Sequence, residues 1–321
     1  MSTPPVILVL GPTAGGKTRL AVELALRLRP PGECLGADSM QIYRGMNIGT
    51  AKPTPEERAA VPYHLVDLVD PADDGFTVDS WLRACDDRLL DLQKRDRTPI
   101  IVGGTNLYIQ AFLHGFAHGP APDPGRRRDL ETWSDDALRR RLHVLDPVAA
   151  KDIHPNDRKR TLRAIEIVEA TGCPLAAVRR QWERLEPRPH TFIVGLEYDR
   201  ETINRRINQR VRAMMEAGFR QEVEALAAGG GLGRQAREAL GYKQLLAVVR
   251  GGASEAEAVE QIKIRTRQYA KQQRTWLKRF RGHRPSCWLH PGESGIASVV
   301  DEAVGTVQAW LDEIRQAVPR E

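Results

Sequence analysis

An eight-residue segment near the start of the chain constrains the fold more than any other feature of the sequence. Residues 11–18 read Gly-Pro-Thr-Ala-Gly-Gly-Lys-Thr and match the phosphate-loop pattern G-x-x-x-x-G-K-[ST] at every fixed position. The apolar run from Val6 to Leu10 precedes this loop, and leucines at helical spacing follow it between Thr18 and Leu28. A buried strand, a glycine loop and a helix in this order predict the opening of a parallel α/β sheet.

The composition of this loop also predicts what it binds. Small residues let successive backbone N–H groups converge on a phosphate, and the N-terminus of the following helix adds partial positive charge. Lys17 supplies a full positive charge, and the hydroxyl of Thr18 is a suitable Mg²⁺ ligand. The sequence therefore predicts a polyphosphate site with Mg²⁺ as cofactor, formed by Gly11, Pro12, Thr13, Ala14, Gly15, Gly16, Lys17 and Thr18.

The remaining apolar patterns predict the domain organisation. Strand-length runs occur at 34–37, 99–102 and 192–196, and helical spacing predicts helices over 78–95, 201–227 and 254–281. An Arg-rich helical stretch with prolines at both ends separates two of these strands, which indicates an insertion. We therefore expect an α/β fold, a P-loop NTPase-like parallel sheet flanked by helices. The core would comprise residues 1–118 plus 190–321, with a helical insertion domain at 119–189.

Charge and composition narrow the functional classes. No apolar run approaches the roughly 20 residues of a membrane helix, the first apolar stretch is too short for a signal peptide, and the four cysteines are widely scattered. These features exclude the secreted and membrane-spanning classes and predict a cytoplasmic protein with no membrane partner. Residues 191–284 carry 19 basic against 10 acidic residues, which indicates a surface for a polyanion; solvated basic helix faces are the alternative.

The acid that helps to hold Mg²⁺ in a generic NTPase is missing from the strand expected to carry it. Ile100 to Val102 leads into Gly-Gly-Thr at 103–105, and only the short segment 65–70 offers a substitute acid. Asp38 follows the run at 34–37, so we expect it at the carboxyl end of a strand, where open α/β sheets bind ligands. From the residues alone, three roles stay open for Asp38: Mg²⁺ ligand, proton acceptor, or cap of the next segment.

Six sequence blocks, taken together and in this order, make the chain resemble the tRNA dimethylallyltransferase family, also called tRNA isopentenyltransferases or IPP transferases. The blocks are the phosphate loop, 38–53 (DSMQIYRGMNIGTAKP), 102–108 (VGGTNLY), 154–157 (HPND), 241–244 (GYKQ) and the helical segment 266–277. The run at 38–53 is far more specific than the phosphate loop. The chain lacks the paired cysteines of the zinc finger that eukaryotic members carry, so it is most similar to the bacterial form.

The resemblance implies a definite reaction. The N6 amine of adenosine 37, immediately 3′ of the anticodon in tRNAs that read codons beginning with U, attacks the allylic carbon of dimethylallyl diphosphate, and diphosphate leaves. The phosphate loop would bind the diphosphate of this donor, with Thr18 as the metal ligand. Asp38 would take the proton from N6, and Thr13, Lys17 and Arg210 would complete the catalytic set by stabilising the leaving group.

The resemblance also implies tRNA as the partner, held by its anticodon stem-loop with the acceptor base flipped out. The segments that match the RNA contacts of the family are Asp38, Ser39, Met40 and Gln41; Thr105; Lys159, Arg160, Thr161, Leu162 and Arg163; and Glu238, Ala239, Leu240, Gly241, Tyr242 and Lys243. The third segment lies in the helical insertion, which grips the stem-loop in this family. From the residues alone, the pair at 241–242 is an ordinary turn followed by a core aromatic.

Two stripes run along the helix predicted near the end of the basic region. Spacings of three and four residues predict a core-facing stripe of Ile262, Thr266, Tyr269, Gln273, Trp276 and Phe280. A parallel basic stripe is expected to face RNA phosphates, and it comprises Lys263, Arg267, Lys271, Arg274 and Lys278.

Other functions stay open on the sequence. An adenylate isopentenyltransferase would prenylate free AMP or ATP, a P-loop kinase would phosphorylate a small metabolite, and a non-catalytic module would only bind RNA. The basic region 191–284 favours a tRNA acceptor, because a free nucleotide needs no such surface. We expect a monomer, and we expect no zinc site at His283, Cys287 and His290 because paired cysteines are missing.

Overall fold

The structure, a computed structural model, describes residues 4–115, 120, 123–183 and 186–317. The chain divides into two units, one formed by Met1–Ile109 with Pro189–Glu321 and the other by Gln110–Arg188. The expected domain boundary between residues 118 and 119 falls outside the described residues, and it stays a prediction.

Six parallel strands form one sheet in the first unit: β1 (Val6–Leu10), β2 (Gly32–Gly36), β3 (Tyr63–His64), β4 (Thr98–Val102), β5 (Thr191–Leu196) and β6 (Ser286–Leu289). Their order is β3-β2-β4-β1-β5-β6, and Val9 of β1 lies between Val102 of β4 and Val194 of β5. Every residue of β1, β2, β4 and β5 is buried, as expected for a parallel sheet with helices on both faces. The predicted α/β class is confirmed.

Four helices lie before the insertion: α1 (Lys17–Arg27), α2 (Pro55–Ala60), α3 (Val78–Lys94) and α4 (Asn106–His114). Leu20 and Leu24 of α1 are fully buried in the core of the first unit, which explains the leucine spacing after the phosphate loop. A short loop connects the carboxyl end of β1 to α1, and another connects the carboxyl end of β4 to α4. This arrangement places the two loops that precede these helices at the same edge of the sheet.

Five helices form most of the second unit: α5 (Pro124–Thr132), α6 (Asp135–Leu145), α7 (Pro147–Asp152), α8 (Arg158–Thr171) and α9 (Leu175–Glu183). Asp or Ser side chains cap the first turns of α5, α6, α7 and α8, so the polar residue before each apolar-periodic segment sets its start. Leu130, Leu138, Leu142 and Ile165 bury their side chains in a core that belongs to this unit.

The chain completes the first unit with α10 (Arg200–Glu216), α11 (Phe219–Ala228), α12 (Tyr242–Val249), α13 (Glu255–Phe280) and α14 (Val300–Ala317). The single helix predicted over 201–227 is wrong, because the chain breaks between α10 and α11. Gly218 adopts φ +93° there, a left-handed conformation that costs glycine little and ends a helix. The break directs Phe219 into the core, where its ring packs edge-on against Tyr242 with centroids 5.0 Å apart.

The two outer strands had no sequence signal. β3 has only two residues, and β6 has four that are mostly half-buried, so neither is long enough to show a strand pattern. In the part of the chain that the structure describes, no helix has both the length and the apolar character needed to cross a bilayer.

Candidate active site

The phosphate loop joins β1 to α1 and is closed by a hydrogen bond from Gly15 N to Pro12 O at 3.1 Å. Ala14 and Gly16 both adopt left-handed conformations, at φ 60° and 84°, which curve the loop around a central space. Gly16 is also the N-cap of α1 and offers no side chain to the first turn, so the helix N-terminus is left for an anion. Three contacts from outside hold the loop. The Tyr198 hydroxyl donates to Gly15 O at 2.8 Å, and Arg206 Nε donates to Ala14 O at 2.8 Å. Gln273 Oε1 accepts from Thr13 N at 2.8 Å.

Two cations face this loop. Burial and, to a smaller extent, the neighbouring Arg210 lower the pKa of Lys17 to about 8, while Asp38 opposes the shift. Burial also lowers the pKa of Arg210, whose charge Asp38 partly offsets. Lys17 Nζ donates to Pro12 O at 2.9 Å, whereas Arg210 has no hydrogen bond or ion pair to any residue that the structure describes. Two partly desolvated cations side by side favour an anionic ligand of more than one charge.

The cavity around the loop, which we call the phosphate cavity, has a volume of about 310 Å³. Residues 13–19 of the loop and α1 line it, together with Asp38, Glu57 and Arg210. The cations and the loop backbone in this lining make the cavity suitable for a diphosphate rather than for an apolar group.

A second cavity of about 350 Å³, which we call the apolar cavity, adjoins the first. Its walls carry methionine, branched aliphatic and aromatic side chains, among them Met40, Ile207, Met214, Phe219, Leu240 and Ile262. The two cavities share Thr13, Asp38, Thr50, Arg210 and Tyr269. Asp38 is the only acid among these five described residues, so one carboxylate lies where the two cavities meet.

Asp38 occupies the position that the sequence predicted, directly after β2. Its Oδ1 accepts a hydrogen bond from Met40 N at 2.9 Å, so one oxygen caps the following turn, as one of the open alternatives proposed. The half-buried side chain lines both cavities. Among the described donors none bonds its Oδ2, which is thus available to a ligand.

The loop after β4 lies against the loop after β2. Thr105 N donates to Ala37 O at 3.1 Å, and Ser39 N donates to Thr105 Oγ1 at 2.9 Å. Gly103 permits this approach, because a Cβ there would lie 2.1 Å from Ala37 O. The structure therefore brings Thr105 beside Asp38 and Ser39, three residues that the sequence assigned to one site.

A carboxylate that sequence reasoning missed holds one wall of the apolar cavity. Glu222 of α11 accepts hydrogen bonds from the three successive amides of Asn47, Ile48 and Gly49, at 2.9, 2.7 and 3.2 Å. It also accepts one from the Tyr242 hydroxyl at 2.5 Å. Gly49, at the end of this bonded segment, and the next residue, Thr50, line the cavity. A glutamate on an amphipathic helix gives no sequence signal for such a role.

The predicted RNA-contact segment at 238–243 divides into two parts. Glu238, Ala239 and Leu240 line the apolar cavity. Tyr242 is fully buried, which agrees with the core aromatic expected from the residues alone, and Lys243 Nζ pairs with Glu238 at 2.7 Å. Only part of this segment can therefore touch a ligand directly in the geometry seen here.

Gln41 also has a structural role. Its side chain is buried, and its amide donates to Thr50 O at 3.1 Å and to Ala51 O at 3.0 Å. It therefore fixes the same loop that Glu222 holds from the other side, and Ser39 and Met40 are the neighbours that line the apolar cavity.

The remaining predicted RNA segment begins α8 of the second unit. Lys159 and Arg160 are exposed, Thr161 and Leu162 are buried, and Arg163 donates to Pro120 O at 3.1 Å and Glu166 Oε2 at 3.4 Å. Lys159 and Arg160 thus lie on the surface, where Arg160 pairs with Asp157 at 3.3 Å, whereas the next two residues support the helix.

The two stripes predicted on α13 are partly correct. Ile262, Gln273 and Phe280 are buried, but Tyr269 is 37% exposed and lines both cavities, so its placement in a core-facing stripe is wrong. The Tyr269 ring faces the cavities, and its hydroxyl donates to Gly104 O at 3.1 Å. In the basic stripe Lys263 pairs with Glu260 at 2.5 Å, while Lys271 is exposed on the same helix.

The substitute acid considered at 65–70 is committed elsewhere. Asp67 Oδ1 lies 2.5 Å from Lys52 Nζ, and Asp67 Oδ2 lies 3.0 Å from Arg58. These two cations hold the pKa of Asp67 below its ordinary value despite partial burial. The residue stabilises the loop that carries Lys52 and does not line either cavity described above.

Fold and site together define a class: a phosphate-loop α/β protein in which the cavity for a phosphorylated group adjoins an apolar cavity, with a carboxylate at the junction. The family model described as IPP transferase matches residues 41–280. The chain belongs to this family, and it is a transferase. The resemblance seen in the sequence is thereby confirmed.

Individual relatives agree over nearly the whole chain. A tRNA dimethylallyltransferase of Desulfosudis oleivorans is 43% identical over 280 residues, which cover 86% of this chain and 88% of that protein. The crystal structure of a tRNA isopentenylpyrophosphate transferase from Bacillus halodurans is 35% identical, with a TM-score of 0.70 and 98% of both chains covered. A eukaryotic dimethylallyltransferase acting on tRNA is 26% identical, with a TM-score of 0.81 over 99% of this chain and 81% of that one.

Proposed function

We propose that this chain transfers the dimethylallyl group of dimethylallyl diphosphate to N6 of adenosine 37 in tRNAs that read codons beginning with U. The junction of the two cavities is the observation that carries the proposal. A cationic, amide-lined cavity suits a diphosphate, an apolar cavity suits the uncharged reacting groups, and Asp38 lies on the wall that they share. Family membership and the names of the relatives support the same reaction.

In this reaction the bond between the allylic carbon and the bridging oxygen of the diphosphate breaks, and a bond from that carbon to N6 forms. The leaving diphosphate gains negative charge, which Lys17, Arg210 and the loop amides would stabilise. Because these groups are fixed before the reaction, they favour the transition state over the ground state. We assign the Thr13 hydroxyl to the bridging oxygen, since Thr13 lines both cavities.

The attacking N6 must lose one proton, and we assign Asp38 to accept it. Oδ1 is held by Met40 N, which fixes the carboxylate while Oδ2 accepts the proton. A positioned base typically contributes about 10²–10⁴-fold to the rate. The proton acceptor thus lies on the wall that the two cavities share, near the cations that would stabilise the leaving group.

Mg²⁺ is the cofactor that we propose for the diphosphate. The Thr18 hydroxyl and the carboxylates of Asp38 and Glu57 line the phosphate cavity, and such oxygen donors fit a hard divalent cation. Thr18 would hold the ion together with phosphate oxygens of the substrate. When bound, Mg²⁺ neutralises charge on the departing diphosphate.

We propose tRNA contacts in both units. The exposed Lys159 and Arg160, with Arg163 behind them, would bind phosphates of the anticodon stem-loop, and the basic residues of α13 would bind further phosphates. The acceptor adenine has to leave its stack to reach the apolar cavity, at a cost of a few kcal/mol. Since one unit of one chain contains both cavities, we also propose that the protein works as a monomer. We propose the cytoplasm as its location.

Mass analysis of tRNA nucleosides tests this function directly. Protein, Mg²⁺ and dimethylallyl diphosphate are incubated with an unmodified tRNA that carries adenosine at position 37, and with a matched tRNA that carries guanosine there. We expect isopentenyladenosine from the first tRNA and no product from the second. A preference for AMP over an anticodon stem-loop, or phosphoryl transfer from ATP without any prenyl product, would contradict the proposal.

A further inference from the structure

A buried glutamine on α13 connects the two loops that form the site. Gln273 is 2% exposed, and its side-chain amide makes two long-range hydrogen bonds. Oε1 accepts from Thr13 N at 2.8 Å, and Nε2 donates to Gly104 O at 3.0 Å. Burying an amide in a core costs free energy unless both ends are bonded, and here both ends are bonded to backbone of the site.

The two bonded loops belong to different substrates in the proposed reaction. Thr13 lies in the phosphate loop, on the wall beside the leaving diphosphate. Gly104 precedes Thr105, whose hydroxyl accepts from Ser39 N, next to Asp38. Gln273 therefore spans from the donor side of the site to the side where the acceptor loses its proton.

The surroundings are shaped for this bridge. A Cβ at Gly104 would lie 2.5 Å from Gln273 Nε2, so only glycine at that position leaves room for the amide. The Tyr269 hydroxyl donates to the same carbonyl at 3.1 Å. Since a carbonyl oxygen accepts two hydrogen bonds, α13 occupies the full acceptor capacity of Gly104 O.

The polarity of the bridge is fixed by the backbone at both ends. Thr13 N can only donate and Gly104 O can only accept, so the linking side chain must present an acceptor and a donor together. Among side chains of this length, only the amide of glutamine does so at neutral pH: a glutamate carboxylate only accepts, and methionine does neither usefully.

We propose that Gln273 is a positioning residue that sets the distance between the leaving diphosphate and the acceptor side of the site, an inference that rests on the proposed function. Gln273 lines the phosphate cavity, but both ends of its amide are bonded to backbone, so it acts through the two loops. It fixes the phosphate loop relative to the loop that carries Thr105, so that the allylic carbon and N6 meet in attack geometry. A misplacement of about 1 Å in such an arrangement can cost about 10²-fold in rate.

The variant Gln273→Met tests this role, with Gln272→Met as the matched control on the exposed side of the same helix. Methionine keeps the length and volume of glutamine but removes both hydrogen bonds. We expect kcat to fall by about 10–100-fold, with the KM for dimethylallyl diphosphate and the Kd for tRNA changed less than threefold. The control is expected to retain the wild-type kcat.

The variant Gln273→Glu gives a measurement, the pH dependence of kcat, that would not change if Gln273 acted only through packing. Its carboxylate still accepts from Thr13 N but opposes Gly104 O, and protonation restores a donor. The ratio of its kcat to the wild-type kcat should therefore rise as pH falls. The other charged or titratable groups that line the cavity with Gln273 are Lys17, Arg19, Asp38, Lys52, Glu57, Tyr63, Arg210 and Tyr269. Both proteins contain them, so a pH dependence of the ratio reports what the new carboxylate introduces.

Each outcome decides the matter. A kcat for Gln273→Met within twofold of wild type overturns the proposal, as does a loss confined to the KM of the donor. If Gln273→Met fails to fold, the Gln273→Glu ratio decides alone, and a ratio independent of pH overturns the proposal. Wild-type protein that forms no isopentenyladenosine would refute the proposed function instead, so the two failures are distinguishable.

Discussion

The two cavities of the first unit are built in different ways, although they share a wall. The phosphate cavity takes a third of its lining residues from one continuous segment, residues 13–19, which wraps the N-terminus of α1. The apolar cavity takes its lining from short separate stretches of chain between Thr13 and Tyr269. The first is a local motif, whereas the second exists only after the unit has folded.

The two cavities differ in what determines the shape of their walls. The phosphate loop obtains its curvature from residues within it, Ala14 and Gly16 at positive φ. The apolar cavity depends on remote supports, because Glu222 holds the loop at 47–49 and Gln41 holds the backbone at 50–51. We therefore expect changes in the phosphate loop to affect chemistry alone, and changes around the apolar cavity to affect chemistry and stability together.

Among variants at residues that line only one of the two cavities, the largest effect is expected from Lys17→Met. Loss of a fixed cation at the leaving diphosphate should lower kcat for transfer by about 10²–10³-fold, in the range found for single stabilising donors. The apolar cavity does not include Lys17, so the Kd for tRNA and the melting temperature should stay near the wild-type values. A fall in melting temperature comparable to that of a core variant would contradict this difference between the cavities, because it would show that the loop depends on Lys17 for its shape.

The pH dependence of donor use follows from the same lysine. Its pKa of about 8 means that the free protein loses this charge above about pH 8, whereas bound diphosphate favours the ammonium form. Donor binding therefore takes up a proton, and kcat/KM for the donor should fall about tenfold per pH unit above about pH 8. In Lys17→Arg the guanidinium stays charged, so the descending limb should be absent; an identical limb in that variant would assign it to another group.

A change in the apolar cavity should have a smaller effect on chemistry. Met214 lines that cavity and not the phosphate cavity. Removing part of its side chain in Met214→Ala should weaken complementarity by about 1–3 kcal/mol, which corresponds to about 10-fold or more in kcat/KM. Equilibrium binding of inorganic pyrophosphate with Mg²⁺ should be unchanged, and a matching loss of pyrophosphate affinity would show that the two cavities are not separable.

The remote support of the apolar cavity should appear as stability. Glu222→Ala leaves the amides at 47–49 and the Tyr242 hydroxyl without their acceptor, and the free energy of unfolding should fall by about 1–3 kcal/mol. Glu224→Ala is the matched control: Glu224 lies on the same helix and pairs with Arg220 at an exposed position, where a salt bridge contributes about 1 kcal/mol or less. If urea denaturation gives equal losses of unfolding free energy for the two variants, Glu222 contributes no more than an exposed salt bridge.

The sequence predicts the motif-built part of this molecule far better than the part assembled by tertiary contacts. Val6–Leu10, the phosphate loop and Asp38 are found where periodicity and spacing place them, because each depends on residues that are neighbours in the chain. The resemblance to the IPP transferases extended the prediction to Arg210, which lines both cavities, and to Thr105, whose hydroxyl accepts from Ser39 N.

Other features had no local cause to detect. The break at Gly218 looks like an ordinary glycine inside a helical pattern, and the role of Glu222 depends on amides almost 175 residues away in the chain. Gln273 fits a core-facing stripe by spacing, and spacing says nothing about a hydrogen bond to Thr13. Such roles come from what the fold brings opposite a side chain, and a single sequence does not contain that information.

The central claim is that the carboxylate between the two cavities removes the proton from the attacking amine. Single-turnover transfer by Asp38→Asn, with saturating dimethylallyl diphosphate and tRNA, tests it most directly. If Asp38 is the base, the Kd values for both substrates stay unchanged and the transfer rate is about 10²–10⁴-fold below that of wild type. A transfer rate equal to that of wild type under the same conditions would contradict it.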